Sequence, residues 1–379
     1  MLTGDKRYVE RSLELARKAV GLTFPNPLVG AVLVADGKIV GEGSHRGVGN
    51  PHAEIEAINQ AGEKTRGATL YLNLEPCCHF GKTPPCTDAI LEAGISRVVF
   101  SIYDPDERVR GRGAGILRAK GVSTTVGVLS GEALELNLPY IHRNLTGKPF
   151  IVLKLASTIN GYLTAGDRRW LTGEKARQYV HYLRAWTEAI GIGIGTLESD
   201  APILDRRLFG KNLPPPIRMV FDTSLRFPSD HSWLVRGEKV IIYCLQGSSI
   251  EKMGKLEKAG AEVVILSRGE GGIDLSAWID DMAQRGLTSV LIEGGGEVST
   301  SIIRSGLFDR LVLFYAPLIS GMKGVSWYQD TGPPSGLSER GLLPANLEMM
   351  EGDLMMVYDS QQMERYIDVV TEGKDCLQV

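Results

Sequence analysis

The sequence has few cysteines, no long apolar run and no excess of basic residues. Five cysteines occur among 379 residues, and three of them lie between Cys77 and Cys86. An odd number of clustered thiols argues against a disulfide framework and is typical of metal binding in a reducing compartment. The amino terminus lacks the apolar core of a signal peptide, and no apolar stretch has membrane-spanning length. We therefore expect a soluble cytoplasmic protein without a membrane partner.

The charge balance limits the partners further. The 42 lysines and arginines are matched by 45 aspartates and glutamates, which gives a formal net charge of −3. Such a chain offers no basic field to attract a polyanion, so we expect no nucleic-acid partner. Internal repeats and low-complexity tracts are also lacking.

Hydrophobic periodicity divides the chain near Gly147-Lys148-Pro149. Before this point, a helical pattern is followed by a hairpin signal at Asp36-Gly37 and then by alternating strands and helices. A second series of strands and helices begins directly after it. We therefore predict an α/β protein with two three-layer α/β/α domains. They comprise residues 1–146 and 147–360, and we expect a loose polar tail over residues 361–379.

Two short segments of the first domain have the composition of a catalytic zinc site. Pro51-His52-Ala53-Glu54 supplies an imidazole and a carboxylate, and the segment from Pro76 to Cys86 supplies separated thiols. Three protein ligands leave a fourth position on zinc for water, whereas structural sites are usually closed by four protein ligands. A zinc-activated water beside a glutamate that is not a ligand is the arrangement of nucleobase deaminases. The pattern therefore predicts deamination, with Glu54 as the proton carrier.

The thiol spacing departs from the common deaminase signature, because Phe80 stands where the second cysteine would fall. The longer loop that ends in Gly81-Lys82-Thr83-Pro84-Pro85-Cys86 resembles the deaminase domain of the bifunctional deaminase/reductases of riboflavin biosynthesis. Three other stretches resemble that domain in the same order: Asn26-Pro27-Leu28-Val29-Gly30, Asp104-Pro105 and Gly111-Arg112-Gly113. The resemblance covers residues 1–146.

This resemblance implies a cytidine-deaminase-like fold and a phosphorylated ribosylaminopyrimidine as substrate. It implies zinc ligation by His52, Cys77 and Cys86, with Glu54 as the proton shuttle. It also implies that the pyrimidine and its ribose phosphate contact Asn26, His45, Lys82 and Asp104. An amide and a carboxylate suit the edges of the ring, and a lysine and a histidine suit a phosphomonoester.

Two positions depart from the family's deaminase pattern. Asp106 stands where asparagine is usual, which puts one substrate hydrogen bond in question. Cys78 stands where serine is usual, and its thiol could compete with Cys77 for the metal. Two loop side chains keep two interpretations each. His79 is either solvated or part of the cavity wall, and Lys82 is either a substrate contact or a solvated charge.

The second domain has no Gly-x-Gly-x-x-Gly turn after its first strand, but it contains three consecutive glycines, Gly294-Gly295-Gly296, between an apolar strand and a predicted helix. Glycines let the backbone approach phosphate closely, and free amides at a helix start bind anions. Strand-to-helix turns often contain glycine for other reasons. The turn alone therefore leaves phosphate binding and simple turn geometry as alternatives.

Other segments of this domain resemble the reductase domain of the same bifunctional family. They are the stretch from Lys154 to Gly161, Trp170-Leu171-Thr172, Arg184-Ala185 and the stretch from Thr196 to Arg207. The resemblance implies a dihydrofolate-reductase-like fold and NADPH as a cofactor. By this match, the substrate faces Lys154, Arg168, Arg184, Leu204, Arg207 and Glu293. The cofactor faces Ala156, Trp170, Thr196, Asp200, Gly295, Gly296, Glu297, Val298, Ser299, Thr300 and Ser301.

The reductase pattern is also imperfect. Asn160 replaces the usual aspartate, and Arg168 replaces the usual serine, although an added cation there suits a phosphate. Core packing is the alternative for Trp170, and a solvated helix face is the alternative for Arg184.

We expect a bifunctional enzyme of riboflavin biosynthesis. It would deaminate 2,5-diamino-6-ribosylamino-4(3H)-pyrimidinone 5′-phosphate with zinc, and would then reduce the ribosyl group to ribityl with NADPH. A nucleobase or tRNA deaminase with an appended non-catalytic domain is one alternative, and a zinc-stabilised binding protein is another. We further expect a homo-oligomer, either a dimer or a tetramer.

Overall fold

The computed structural model describes residues 3–81, 84–164, 168, 170–207, 209, 213–321, 324–329 and 336–373. The chain forms two compact units. The first comprises Met1–Gly147 together with Gln362–Val379, and the second comprises Lys148–Gln361.

The first unit is built on a mixed sheet with the strand order β2-β1-β3-β4-β5. The strands are β1 (Gly30–Ala35), β2 (Lys38–Ser44), β3 (Thr69–Leu74), β4 (Arg97–Ile102) and β5 (Ser123–Val126). The helices that precede the boundary are α1 (Thr3–Arg17), α2 (Ala53–Ala61), α3 (Cys86–Glu92), α4 (Arg112–Ala119) and α5 (Ser130–Thr146). Strands β1 and β2 form the predicted hairpin, and Asp36 and Gly37 both have positive φ, at 50° and 72°.

The parallel part of this sheet determines where the site lies. Strands β3, β4 and β5 are parallel, so the residues that follow β3 and β4 meet at one edge. Helix α2 lies directly against β2. A Cβ atom at Gly41 or Gly43 would stand 2.1 Å from a carbonyl oxygen of α2, so only glycine fits at both positions. This close approach fixes the start of α2 above the sheet.

The second unit is built on a nine-stranded sheet with the order β10-β9-β8-β7-β13-β6-β14-β16-β15, beside a two-stranded ribbon of β11 and β12. The strands are β6 (Phe150–Thr158), β7 (Ala189–Gly193), β8 (Ile217–Phe221), β9 (Val240–Leu245), β10 (Glu262–Leu266), β11 (Arg268–Gly269), β12 (Gly272–Ile273), β13 (Ser289–Ile292), β14 (Arg310–Ala316), β15 (Leu342–Met350) and β16 (Asp353–Ser360). The helices are α6 (Glu174–Trp186), α7 (Ile194–Asp200), α8 (Ser232–Val235), α9 (Ile250–Lys258), α10 (Leu275–Gln284) and α11 (Gly296–Ser305).

Strand β13 lies between β7 and β6, and all three strands are parallel. Their carboxyl ends, at Gly193, Ile292 and Thr158, therefore meet at one edge of the sheet. Ligands of open α/β sheets bind at such an edge, where the strand order reverses. Beyond β14, the antiparallel strands β16 and β15 form one edge of the sheet.

The carboxy-terminal segment corrects one expectation. Residues 361–379 were expected to be a loose tail, but the chain returns to the first unit and forms helix α12 (Gln362–Glu372). This helix buries Met363, Tyr366, Val369 and Val370. The expectation is therefore wrong for the described part of the segment. None of the helices in the described ranges has both the length and the apolar content that crossing a bilayer requires.

Candidate metal and reductase sites

Three candidate metal ligands come together at the carboxyl edge of the first sheet. His52 immediately precedes α2, Cys77 follows β3, and Cys86 is the first residue of α3. The Nδ1 atom of His52 lies 3.2 Å from Sγ of Cys86 and 3.6 Å from Sγ of Cys77. A tetrahedral zinc with the usual bond lengths separates a nitrogen and a sulfur ligand by about 3.5 Å. The donor set and its spacing therefore fit zinc.

The electrostatics of this trio favour a thiolate at Cys77. A hydrogen bond from the Cys86 thiol lowers the pKa of Cys77, and a hydrogen bond from His52 adds to the effect, although burial opposes both. The same hydrogen bond raises the pKa of Cys86. The backbone N–H of Cys86 also donates to the Cys77 sulfur, at 3.3 Å. In turn, the hydrogen bond with Cys77 raises the pKa of His52. Thiolates are the form in which cysteine binds metals.

Glu54 is buried beside the ligand trio. Its Oε2 atom has no hydrogen-bond partner among the described residues, which is unusual for a buried carboxylate. Burial raises the pKa of Glu54, and the neighbouring Cys77 raises it further. An orphaned carboxyl oxygen in this position is free to take up and release a proton. This observation fits a proton carrier that is not itself a metal ligand.

The structure brings two of the predicted substrate residues close to the trio. The rings of His45 and His52 meet edge to face, with centroids 5.4 Å apart. The side-chain amide nitrogen of Asn26 lies 3.0 Å from Nε2 of His45. Burial lowers the pKa of His45, which favours the neutral form of this ring. Lys82, the other predicted phosphate ligand, lies outside the described residues.

Asp104 follows β4 at the same edge and is buried. The Tyr140 hydroxyl and the Asp106 backbone N–H both donate to its Oδ1 atom, each at 2.9 Å. Burial raises the pKa of Asp104 to about 7. Tyr140 was not identified from the sequence, because helix α5 was not predicted.

Glu75 is a second residue that the sequence analysis missed. Its carboxylate accepts hydrogen bonds from the backbone N–H groups of Asp104, Gly111 and Ala114, at 3.3, 2.9 and 2.9 Å. It therefore ties the loop after β4 and the start of α4 to the segment that carries Cys77. An acidic residue between an apolar strand and Pro76-Cys77 was the available signal.

The departures from the deaminase pattern have separate structural accounts. The Cys78 sulfur faces the backbone carbonyl of Arg108 at 3.5 Å, and it is absent from the metal-ligand cluster of the described residues. The carboxylate of Asp106 holds the Arg108 side chain. Nδ1 of His79 is buried without a hydrogen-bond partner among the described residues, which agrees better with a cavity wall than with a solvated side chain.

A buried ionic triad marks the second unit. Glu293, just after β13, receives a bidentate contact from Arg184 at 2.5 and 3.1 Å and a contact from Lys154 at 3.1 Å. Burial alone would raise the pKa of Glu293, but Arg184 and Lys154 outweigh it and lower the pKa to about 2. The structure thus joins three predicted substrate residues. It also rules out the solvated alternative for Arg184, whose side chain is 14% exposed.

The loop after α7 holds two arginines with different surroundings. Arg207 is half-exposed and pairs with Asp205 at 2.7 Å. Arg206 is buried and donates to the backbone carbonyls of Arg184 and Thr187, both at 2.6 Å. Sequence analysis missed Arg206, because adjacent arginines cannot be told apart without their contacts. Leu204, which was predicted to face substrate, is buried and has a φ of 51°.

The glycine turn lies opposite α7 at the carboxyl edge of the second sheet. A Cβ atom on Gly295 would come within 3.1 Å of Oγ1 of Thr196, and one on Gly294 would come within 2.9 Å of Val298. The hydroxyls of Ser299, Thr300 and Ser301 donate to the carbonyls four residues earlier in α11. The predicted cofactor residues Thr196 and Gly295 are therefore neighbours.

The remaining predicted reductase residues are less enclosed. Trp170 is 55% exposed, which excludes core packing, and the guanidinium of Arg177 lies over its ring. Arg168, Asp200 and Glu297 are exposed, and Ala156 on β6 is partly buried. Asn160 accepts from Thr158 and donates to the carbonyl of Ser320 at 2.8 Å, a bond that the usual aspartate could not make.

The metal trio and the family matches together define a chain with two chemistries: a zinc-dependent deaminase unit followed by a reductase unit. Residues 2–102 match the family model of the cytidine and deoxycytidylate deaminase zinc-binding region, and residues 149–351 match that of the RibD C-terminal domain. The chain therefore belongs to the RibD family of riboflavin biosynthesis proteins. It is a bifunctional deaminase/reductase that uses zinc and NADPH, and the predicted fold class is confirmed.

Relatives match most of the chain. RibD of Aquifex aeolicus is 41% identical over 319 residues, which cover 84% of this chain and 88% of the relative. RibD of Escherichia coli is 36% identical over 330 residues, which cover 84% and 89%. The solved structure of Acinetobacter baumannii RibD has 30% identity and a TM-score of 0.82, and covers 95% of this chain and 99% of its own. The Thermotoga maritima diaminohydroxyphosphoribosylaminopyrimidine deaminase/5-amino-6-(5-phosphoribosylamino)uracil reductase has 31% identity and a TM-score of 0.79, and covers 94% and 99%.

Proposed function

We propose that the first unit releases ammonia from 2,5-diamino-6-ribosylamino-4(3H)-pyrimidinone 5′-phosphate. The second unit then reduces the ribosyl group of the product to ribityl with NADPH. The substrate class is that named for the Thermotoga maritima relative. The observation that carries the proposal is the His52, Cys77 and Cys86 trio beside the unpartnered carboxylate oxygen of Glu54.

In this proposal, His52, Cys77 and Cys86 hold the zinc. When bound there, zinc would supply Lewis-acid chemistry that activates a water molecule near neutral pH. Glu54 takes one proton from the attacking water and gives it to the ring nitrogen. It then carries the proton of the new hydroxyl on the ring carbon to the amino group, so that a carbonyl forms and ammonia leaves. The raised pKa of Glu54 suits a group that must both accept and donate a proton.

The remaining deaminase residues orient the substrate. Asn26 and Asp104 offer an amide and a carboxyl group to the polar edges of the pyrimidine. His45 and Lys82 are assigned to the ribose phosphate. The His45 ring is already oriented by contacts to Asn26 and to the carbonyl of Pro51, so its position does not depend on bound substrate.

In the second unit, the residues would orient the sugar against NADPH, which would supply the hydride when bound. The ionised Glu293 holds the Lys154 ammonium and the Arg184 guanidinium in fixed positions. Lys154 is assigned to the ribose hydroxyls. Arg184, Arg207 and Arg168 are assigned to the phosphate, with Leu204 beside the substrate. The residues assigned to hold the cofactor are Ala156, Trp170, Thr196, Asp200 and the turn from Gly295 to Ser301.

We further propose a homo-oligomer, a dimer or a tetramer, in the cytoplasm. A reducing compartment suits the proposal, because zinc ligation requires Cys77 and Cys86 as thiolates rather than as a disulfide.

The order of the two reactions provides the test. Purified full-length protein with zinc, NADPH and the diaminopyrimidine substrate should release one ammonia for each NADPH oxidised. With this substrate, the Glu54→Gln variant should neither release ammonia nor oxidise NADPH. It should oxidise NADPH when the deaminated intermediate is supplied. NADPH oxidation by this variant with the original substrate would contradict the proposed order.

A further inference from the structure

Helix α12 lies against the part of the first unit that holds the deaminase substrate residues. The Tyr366 hydroxyl lies 2.9 Å from Nδ1 of His142 on α5, and both side chains are buried. The backbone carbonyl of Val370 accepts a hydrogen bond of 2.7 Å from the N–H of Tyr103. The chain's last described helix thus contacts both α5 and the residue that directly precedes Asp104.

Helix α5 in turn holds two predicted substrate segments. The Tyr140 hydroxyl donates to Asp104, as described above. Three residues earlier on α5, the side chain of Asn137 accepts from the N–H of Leu28 at 2.8 Å and donates to its carbonyl at 3.0 Å. Leu28 lies two residues after Asn26. Residues three apart on a helix share one face, so a shift of α5 would displace both segments together.

Neither α5 nor α12 lies within the residues that match the family models, which are 2–102 and 149–351. Helix α12 nevertheless packs closely against the rest of the first unit through buried side chains. Tyr366 is 4% exposed and Val370 is fully buried. Buried side chains at the start and the end of α12 hold it in place along its length.

We propose that α12 positions the substrate-binding residues of the deaminase site, and that Tyr366 is a positioning residue for Asp104. The effect passes from Tyr366 through His142 and α5 to Tyr140, and from Val370 through Tyr103 to the loop itself. A segment that follows the reductase unit in the chain thereby serves the deaminase reaction. This inference rests on the proposed role of Asp104 in substrate binding.

Steady-state kinetics of ammonia release by full-length variants tests the inference. Tyr366→Phe removes the hydroxyl and keeps the ring, and Tyr366→Ala removes both. The KM for the diaminopyrimidine should rise by up to about fivefold in the first variant, because the full value of the lost Tyr366–His142 hydrogen bond is the upper limit of the effect on Asp104. It should rise further in the second, while kcat per bound zinc stays unchanged. Asp368→Ala, on the exposed side of α12, is the matched control and should leave KM unchanged.

Three further measurements distinguish the ways in which the inference could be wrong. NADPH oxidation with the deaminated intermediate should be normal in every variant, which shows that the second unit is folded, and wild-type zinc content should show the same for the first unit. Asp104→Asn should raise KM, and adding Tyr366→Phe to it should raise KM no further, because both changes act on the same contact. If Asp104→Asn leaves KM unchanged, the assigned role of Asp104 is wrong. If Asp104→Asn raises KM but the Tyr366 variants alter only zinc content or kcat, α12 has a merely structural role and the inference is overturned.

Discussion

Nδ1 of His52 lies 3.2 Å from Sγ of Cys86, although 34 positions separate the two residues in the chain. They meet because each stands at the amino terminus of a helix, and α2 and α3 begin side by side above the same sheet edge. Free backbone N–H groups and the helix dipole favour negative charge at such positions. The backbone N–H of Cys86, at the start of α3, donates to the Cys77 sulfur, so the Cys77 thiolate is stabilised by the fold as well as by the metal.

Glu54→Gln tests the proton carrier. Glutamine has nearly the same shape but cannot carry the proton, so ammonia release should fall by about 10²- to 10⁴-fold. The zinc content, measured by atomic emission, should stay at the wild-type level because Glu54 is not a ligand. Glu56→Gln is the matched control, since Glu56 lies on the same helix and bonds the backbone of Ser44. Wild-type ammonia release by Glu54→Gln would refute the assignment.

Adjacent cysteines offer a matched pair for the ligand assignment. Cys77→Ser should lose most of its bound zinc and its ammonia release, because serine is a poor zinc ligand and binding needs the thiolate. Cys78→Ser should keep both, since the Cys78 sulfur faces the Arg108 carbonyl instead. Metal analysis after dialysis measures the difference. Zinc loss in Cys78→Ser but not in Cys77→Ser would reverse the assignment.

Replacing Glu293 should damage the second unit alone. Glu293→Leu leaves Lys154 and Arg184 buried without their carboxylate, and breaking such a pair costs about 3–5 kcal/mol in the free energy of unfolding. NADPH oxidation should be lost while ammonia release continues. Glu251→Gln breaks an exposed pair with Lys255 and should cost less than about 1 kcal/mol. Equal urea midpoints for the two variants would show that the triad contributes nothing.

His181 predicts an acid sensitivity of the second unit. Burial, followed by the nearby Arg184, lowers the pKa of His181 to about 4, from an ordinary value of 6.5. Between these two values the unfolded chain binds a proton that the folded chain does not, so stability falls as the pH falls through this window. Between pH 7 and 5, protonation of His181 should lower the free energy of unfolding by about 1–2 kcal/mol, and His181→Gln should abolish this decrease. Thermal unfolding at both pH values measures it, and an identical pH dependence in the variant would count against the buried neutral histidine.

Strong local patterns made most of the fold predictable from the sequence. The Asp36-Gly37 hairpin and helix α2 follow from turn chemistry and apolar spacing. Helix α5 was missed because its buried face carries Asn137 and His142 and its interior contains Pro139, all of which weaken an apolar pattern. The segment of α12 does carry a helical pattern, since Met363, Tyr366 and Val370 recur at helical spacing. Its polar composition nevertheless led to the expectation of a loose tail.

The candidate sites were predictable to a different degree. The ligand types and Glu54 could be proposed because zinc chemistry needs those residue types. The contacts that support these residues could not be predicted, because they join residues that are distant in the chain. Glu75, Tyr140 and Arg206 bind backbone or side-chain groups on other elements, and nothing in their local sequence specifies those partners.

X-ray absorption at the zinc edge tests the central claim most directly. We predict one zinc per chain in the full-length protein, with two sulfur atoms at about 2.3 Å and nitrogen or oxygen atoms at about 2.0–2.1 Å. In Cys86→Ser, one sulfur should disappear from the shell or the zinc should be lost. A shell of four sulfur atoms, or a protein that binds no zinc, would contradict the assignment of His52, Cys77 and Cys86.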